Sequence, residues 1–315
     1  MRPATGQVGV LVMAYGTPGS TQNVEAFYTD VRHGRPPSTE QLEDLVRRYD
    51  AIGGVSPLTS RTHEQVAGIQ HELDLRSPGR FLCVLGNKHS DPRIEDAVGE
   101  LAEREVHHLV GLVLAPHYSR GSVGEYVIRV RQAAGPLGMS AGFVEHWHDN
   151  PALIELLAER VGRAFDSLGP AGAAARARGE LLLLVTAHSL PVRIVADGDP
   201  YADQLRETGA LVAAASGLER WEVGWQSAGR TSEPWLGPDI LERLRALASE
   251  GVCAVVVCPA GFTSDHLEVL YDLDVDARRV AAQAGVAFSR TESLNAEPRM
   301  CAALADLVIG CAERL

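Results

Sequence analysis

Three groups of side chains in this chain are of types and spacings that can do chemistry. His188 closes the apolar run Leu-Leu-Leu-Leu-Val-Thr-Ala. An imidazole at a strand end is a candidate general base near neutral pH or a metal ligand, against the plainer role of a core histidine bonded to backbone. Glu268, Asp272 and Asp276 follow at i, i+4 and i+8 in Asp-His-Leu-Glu-Val-Leu-Tyr-Asp-Leu-Asp-Val-Asp, one line of carboxylates on one helix face. Such a line is self-repulsive and usually just solvated. Here it starts directly after an apolar strand, where sites form, and that favours a path for a divalent cation. The third group is basic and hydroxylic: Arg32 and Arg35 in Val-Arg-His-Gly-Arg-Pro, then Arg47-Arg48-Tyr49, then Ser56 after Gly53-Gly54-Val55. These supply guanidinium forks, backbone N–H groups and a hydroxyl for carboxylate or phosphate, or else ordinary helix and turn surface. Tyr15 ends another apolar run ahead of Gly-Thr-Pro and is either a packing residue or a ligand.

The elements that must position these groups read as alternating strands and helices. Val8–Ala14, 80–86, 109–116 and 141–146 are strands in the first half; Leu181–His188, 222–226, 253–259 and 286–290 follow in the second. Helical patterns at 60–75, 91–105 (Asp91-Pro92 as cap and first residue), 151–168 and 203–216 separate them. Continuously apolar strands between helices imply parallel sheets buried on both faces. Residues 170–179, rich in Ala and Gly, read as a linker near the midpoint.

The halves also resemble each other. Val-Met-Ala-Tyr-Gly-Thr-Pro at 12–18 aligns with Val-Thr-Ala-His-Ser-Leu-Pro at 185–191, and Leu-Val-Leu-Ala-Pro at 112–116 with Val-Val-Val-Cys-Pro at 255–259. The repeat predicts two similar α/β domains, with ligands at the carboxyl ends of strands. Tyr15 and His188 then hold equivalent strand ends across a shared cleft. A length of 315 residues fits two domains. A net charge of −12 argues against a nucleic-acid partner, so an anionic ligand needs a local Arg cluster. No apolar run reaches a membrane span and no signal peptide is apparent, which places the chain in the cytoplasm. Five cysteines without a CxxC pair read as reduced thiols and supply no iron–sulfur ligand set. Neither GxGxxG nor GxxxxGK[ST] occurs, so nucleotide binding is not signalled.

Val-Met-Ala-Tyr-Gly-Thr-Pro, Arg-Tyr-Asp-Ala-Ile-Gly-Gly-Val-Ser-Pro-Leu at 48–58, Leu-Ala-Pro-His-Tyr-Ser, Ala-His-Ser-Leu-Pro, Val-Gly-Trp-Gln-Ser and Gly-Phe-Thr-Ser-Asp-His-Leu-Glu resemble, in order and over essentially the whole chain, the ferrochelatases. The likeness is greatest to the coproporphyrin III ferrochelatases of monoderm bacteria. It implies two Rossmann-like domains, 1–150 plus a returning C-terminal helix at 296–315, and 151–295, with the porphyrin cleft between them. Carried over by position, it implies His188 and Glu268 as catalytic and metal-site residues, and Tyr15 as axial ligand of the product iron. Arg32, Arg48, Tyr49, Ser56 and Tyr126 then contact the porphyrin and its propionates, and Asp272 and Asp276 line the iron entry path. The Arg120-Gly121 dipeptide is less familiar in this family and bears on the cleft wall.

The implied reaction replaces two pyrrole protons of coproporphyrin III by Fe2+, giving coproheme, with His188 as base and Glu268 assisting. It needs no organic cofactor. A monomer that passes coproheme to a decarboxylase is expected. The rivals are a chelatase for protoporphyrin IX and a non-catalytic porphyrin or haem carrier. The carrier has no use for the acidic line.

Overall fold

The computed structural model describes residues 6–229 and 231–315. They form two compact units: one runs to Trp147 and takes in Asn295–Leu315, and the other is His148–Leu294.

The first unit is built on β1 (Val8–Ala14), followed by α1 (Val24–Val31), α2 (Thr39–Ala51), α3 (Leu58–Arg76), β2 (Phe81–Asn87), α4 (Ile94–Glu103), β3 (His108–Val113), α5 (Val123–Ala134) and β4 (Ser140–Val144). Its sheet is parallel, in the order β2-β1-β3-β4. All seven residues of β1 are buried, which is why the strand carries no polar alternation. Leu11 and Met13 pack with Ile94, Val98 and Leu101 of α4 and Val123 and Val130 of α5.

The second unit contains α6 (Pro151–Ser167), α7 (Gly169–Ala177), β5 (Leu181–His188), α8 (Val192–Ala196), α9 (Tyr201–Ser216), β6 (Trp221–Gln226), α10 (Ile240–Leu247), β7 (Ala254–Cys258), α11 (Leu267–Leu270), a π-helical stretch (Asp272–Ala277), α12 (Arg278–Ala284) and β8 (Ala287–Arg290). Its parallel sheet runs β6-β5-β7-β8, the same order as the first. β1 and β5 hold the same place in their sheets, as the sequence repeat predicts. The last helix, α13 (Pro298–Ala312), belongs to the first unit. It packs on α3, β3 and β4 and is tied there by Gln65 Nε2 donating to the Asn295 carbonyl (3.1 Å) and Arg76 Nε donating to Asp306 (2.6 Å). No helix among the described residues is long and apolar enough to cross a membrane.

Three local expectations fail. Residues 170–179 are no linker: most of them form α7, because a run rich in alanine favours helix despite its glycines. Asp91-Pro92 does not cap α4. Asn87 donates from its backbone N–H to the Pro92 carbonyl (2.7 Å) and from its side chain to the Asp91 carbonyl (3.1 Å), so the dipeptide is held at the end of β2. The helix starts at Ile94, with Arg93 at the N-cap. The acidic run from Glu268 to Asp276 is not one α-helix but passes through α11 into the π-helical turns.

The seam between α3 and α13 is close enough that a Cβ on Gly68 would lie 2.7 Å from Cys301 Sγ. Gly68→Val is expected to lower the unfolding free energy by about 1–3 kcal/mol through overpacking, read from the urea midpoint. Adding Cys301→Ala restores part of the loss, and an unchanged midpoint in the single variant would show that the helices separate freely.

Candidate functional site

In the second unit the carboxyl ends of β5 and β7 bring two predicted residues together. His188 is the last residue of β5, and Glu268 lies in α11, reached by the loop after β7. That loop crosses close over β5: Gly261 N–H donates to the Thr186 carbonyl (3.0 Å), and a Cβ at Gly261 would stand 2.4 Å from that of Ala187. Only glycine fits this approach. His188 Nε2 lies 3.7 Å from Glu268 Oε1, while His188 Nδ1–H donates to the Ser189 carbonyl at 2.5 Å. The backbone bond fixes the tautomer and leaves Nε2 toward the carboxylate. At 3.7 Å the two groups are too far apart for a hydrogen bond.

A second histidine repeats this arrangement. His266 Nδ1–H donates to the Ser264 carbonyl (2.9 Å), and its Nε2 lies 3.9 Å from Glu268 Oε2. Sequence reasoning singled out Glu268 and overlooked His266 as a partner. A residue two before another does not share a helix face, but His266 is the extended N-cap of α11 (φ −157°, ψ −178°), outside the helical period. Burial alone would raise the Glu268 carboxyl. The electrostatic pull of His188 and His266 instead holds it down at about 2. Burial works against His266 in turn, but the Glu268 carboxylate raises it above the usual imidazole range.

Asp272 and Asp276 follow in the π-helical turns. Asp272 accepts from Ser227 Oγ (2.5 Å), and Ser227 reaches it from a left-handed backbone (φ 57°) uncommon for a residue with a side chain. Asp276 accepts from Arg279 (3.0 Å). Asp274, between them in sequence, is bound by both forks of Arg290 (2.7 and 2.6 Å).

In the first unit Tyr15 follows β1 and is 44 % exposed, its ring 4.6 Å from that of His89 and 6.4 Å from that of Phe27. Behind it His89 Nδ1–H donates to Asp30 (2.7 Å), which also accepts from Arg93 (3.0 Å). Lys88 pairs with Glu125 and stands over the Tyr126 ring at 5.5 Å. Of the expected porphyrin contacts, Arg32 at the end of α1 donates to the Arg35 carbonyl (3.2 Å). Arg48 donates to Asp44 (3.1 Å), which also holds Arg47. A capping box at Ser38 and Gln41 starts the helix that carries both arginines. Tyr49 is buried with its hydroxyl 3.3 Å from Thr17 Oγ1, and Ser56 is buried with its hydroxyl accepting from the Leu58 N–H (3.2 Å). Tyr126 lies in the apolar core of the unit, where burial pushes its phenol up.

The chain matches the ferrochelatase family over residues 7–311. It belongs to that family. The chelatase is 44 % identical over 306 residues to the coproporphyrin III ferrochelatase of Geobacillus sp. (strain WCH70), covering 96 % of this chain and 97 % of the relative. It is 41 % identical to that of Bacillus pumilus (strain SAFR-032), covering 96 % of each. Among solved structures, it shares its fold with SirB from Bacillus subtilis with Fe3+ (TM-score 0.57, 11 % identity, 97 % of this chain and 96 % of that one). The sirohydrochlorin chelatase SirB from Bacillus subtilis subspecies spizizenii, in complex with cobalt, is similar to the same degree (TM-score 0.56, 9 % identity, 98 % and 96 %).

Burial holds His89 neutral, lowering it to about 4 against the Asp30 bond that raises it, with Lys88 and Arg129 adding to the fall. The folded value lies below the unfolded one near 6.5, so the unfolded chain takes up this proton first. The associated stability is present above pH 6.5 and is lost as pH falls toward 4. His89→Gln keeps a donor for Asp30 but does not titrate. Between pH 7 and pH 5 the wild-type chain is expected to lose about 2 kcal/mol more than the variant, measured by denaturant unfolding; parallel curves would refute a neutral His89.

Proposed function

We propose that this ferrochelatase inserts Fe2+ into coproporphyrin III, giving coproheme and two protons. The observation that carries the reading is the Glu268 carboxylate between the Nε2 atoms of His188 and His266, each ring tethered through Nδ1 to a backbone carbonyl. Two arms of about 2.1 Å to a first-row divalent ion bring a nitrogen and an oxygen ligand to about 3–3.5 Å. The 3.7 Å between His188 and Glu268 is close to that span. Iron is the substrate, so the pair must hold it loosely and release it.

The roles divide by the chemistry of the two groups. Glu268, held below the usual carboxylate range, is a poor proton store at neutral pH and serves as a carboxylate for the incoming cation. His188 Nε2 is then the group that takes pyrrole protons. Asp272 and Asp276 feed iron toward Glu268, with Ser227 orienting Asp272. In the first unit Tyr15 is the ligand for the product iron; a phenolate, hard and anionic, suits the ferric form. Arg32, Arg48, Tyr49, Ser56 and Tyr126 hold the macrocycle and its propionates. The names of the relatives support coproporphyrin III as the substrate. The enzyme works in the cytoplasm as a monomer, needs no organic cofactor, and hands coproheme to a decarboxylase.

Coproporphyrin III has four propionates and protoporphyrin IX two. A charge-assisted contact is worth about 1.5–3 kcal/mol, so loss of two contacts costs more than tenfold. Anaerobic insertion of Fe2+, followed by absorption, should show at least that preference in kcat/KM for coproporphyrin III. Equal efficiency with protoporphyrin IX would overturn the substrate assignment. His188→Ala should slow insertion by about 10²–10⁴-fold while coproporphyrin still binds, and near wild-type turnover would remove His188 as the base.

A further inference from the structure

We infer that Gln226 is a positioning residue for iron insertion: its side-chain amide locks the Glu268 peptide to the strand that ends in His188. The inference rests on the reading of His188 and Glu268 given above. Gln226 is the last residue of β6, fully buried, and stands beside His188 in the ladder between β5 and β6. Its carbonyl and both ends of its side-chain amide are committed. The backbone carbonyl accepts from the Ser189 N–H (2.7 Å), immediately after His188. The side-chain Oε1 accepts from Thr186 Oγ1 (2.6 Å), two residues before His188. The side-chain Nε2 donates to the Glu268 carbonyl (3.1 Å). That carbonyl can only accept, so the orientation of the amide is determined.

One buried side chain therefore bonds directly to β5 and to the peptide that carries the carboxylate. Glu268 is otherwise carried by a four-residue helix anchored through Val269 in the core and by the loop that Gly261 ties to Thr186, both short elements that depend on such tertiary bonds. The Glu268 carbonyl lies where α11 gives way to π-helical turns. A side chain inserted at a helix carbonyl is a known way to divert the backbone ladder. An apolar residue of the same size would fill the volume. It would leave the Thr186 hydroxyl and the Glu268 carbonyl without this bridge, and the 3.7 Å between His188 and Glu268 would no longer be maintained. Partners behind a metal-binding group are commonly worth about 10–100-fold in metal affinity or activity.

The test uses Gln226→Leu in the full chain, alone and combined with Glu268→Gln. Zn2+ binding to the porphyrin-free enzyme is read by calorimetry, and Fe2+ insertion by absorption with KM resolved for each substrate. Gln226→Leu is expected to weaken Zn2+ binding and lower kcat/KM for Fe2+ by about tenfold or more, with the coproporphyrin KM within twofold of wild type. In the Glu268→Gln background it is expected to change the residual insertion rate by less than twofold, because its effect acts through Glu268. Should Gln226→Leu not fold, Thr186→Val removes the hydroxyl that orients the amide and must reproduce the iron-specific loss in milder form. Three results overturn the inference while leaving the site intact: wild-type Zn2+ affinity and turnover in the folded variant, a full multiplicative loss in the Glu268→Gln background, or a coproporphyrin KM that rises in step with that for iron. Wild-type insertion by Glu268→Gln alone overturns the site assignment, and this inference with it.

Discussion

A carboxylate that stays ionised while partly withdrawn from water is the constraint on which the second unit turns. Withdrawal penalises the charged form, and an uncompensated group answers by taking a proton. Glu268 does the opposite, because two imidazoles face it from either side, each with its second nitrogen anchored on backbone. The surrounding architecture serves that balance. Gly261 lets the loop pass over Ala187, and the extended N-cap turns His266 inward.

The two parallel sheets explain why chemistry collects where it does. In each unit the strand equivalent to β1 lies inside the sheet, covered on both faces, and its carboxyl end is where chain direction changes. One fold repeated along the chain has been furnished differently: a phenol backed by a His–Asp–Arg chain in the first unit, an imidazole beside a carboxylate in the second. The common scaffold supplies the position, and the identity of one residue supplies the chemistry.

Much of this was legible in the sequence because burial on both faces writes a strong signal. Leu181–His188 and Val8–Ala14 are predominantly apolar, and their observed limits coincide with the expected ones. The repeat at an offset of 173 residues revealed that β1 and β5 are equivalents. Legibility failed where tertiary bonds overrode local pattern. Asp91-Pro92 has the composition of a helix start but is claimed by Asn87. Residues 170–179 have the composition of a linker, yet their alanines build α7. The π-helical turns at Asp272–Ala277 leave no trace in a 3.6-residue period. His266 joins Glu268 through backbone geometry, which residue spacing does not encode.

The placement of α13 bears on the order in which the chain is assembled. The helix covers α3 and two strands of the first unit, but it is synthesised after all of the second. The bonds from Gln65 to Asn295 and from Arg76 to Asp306 each close a loop of 230 residues. On the ribosome, the first unit therefore waits with one face of its sheet and helix uncovered while the second, contiguous unit is completed. Ordering of that insert removes much of the chain entropy that would oppose so long a closure. The protein is thus finished from its middle outward. Truncation just before residue 298 should leave the first unit, rather than the second, exposed to aggregation and proteolysis.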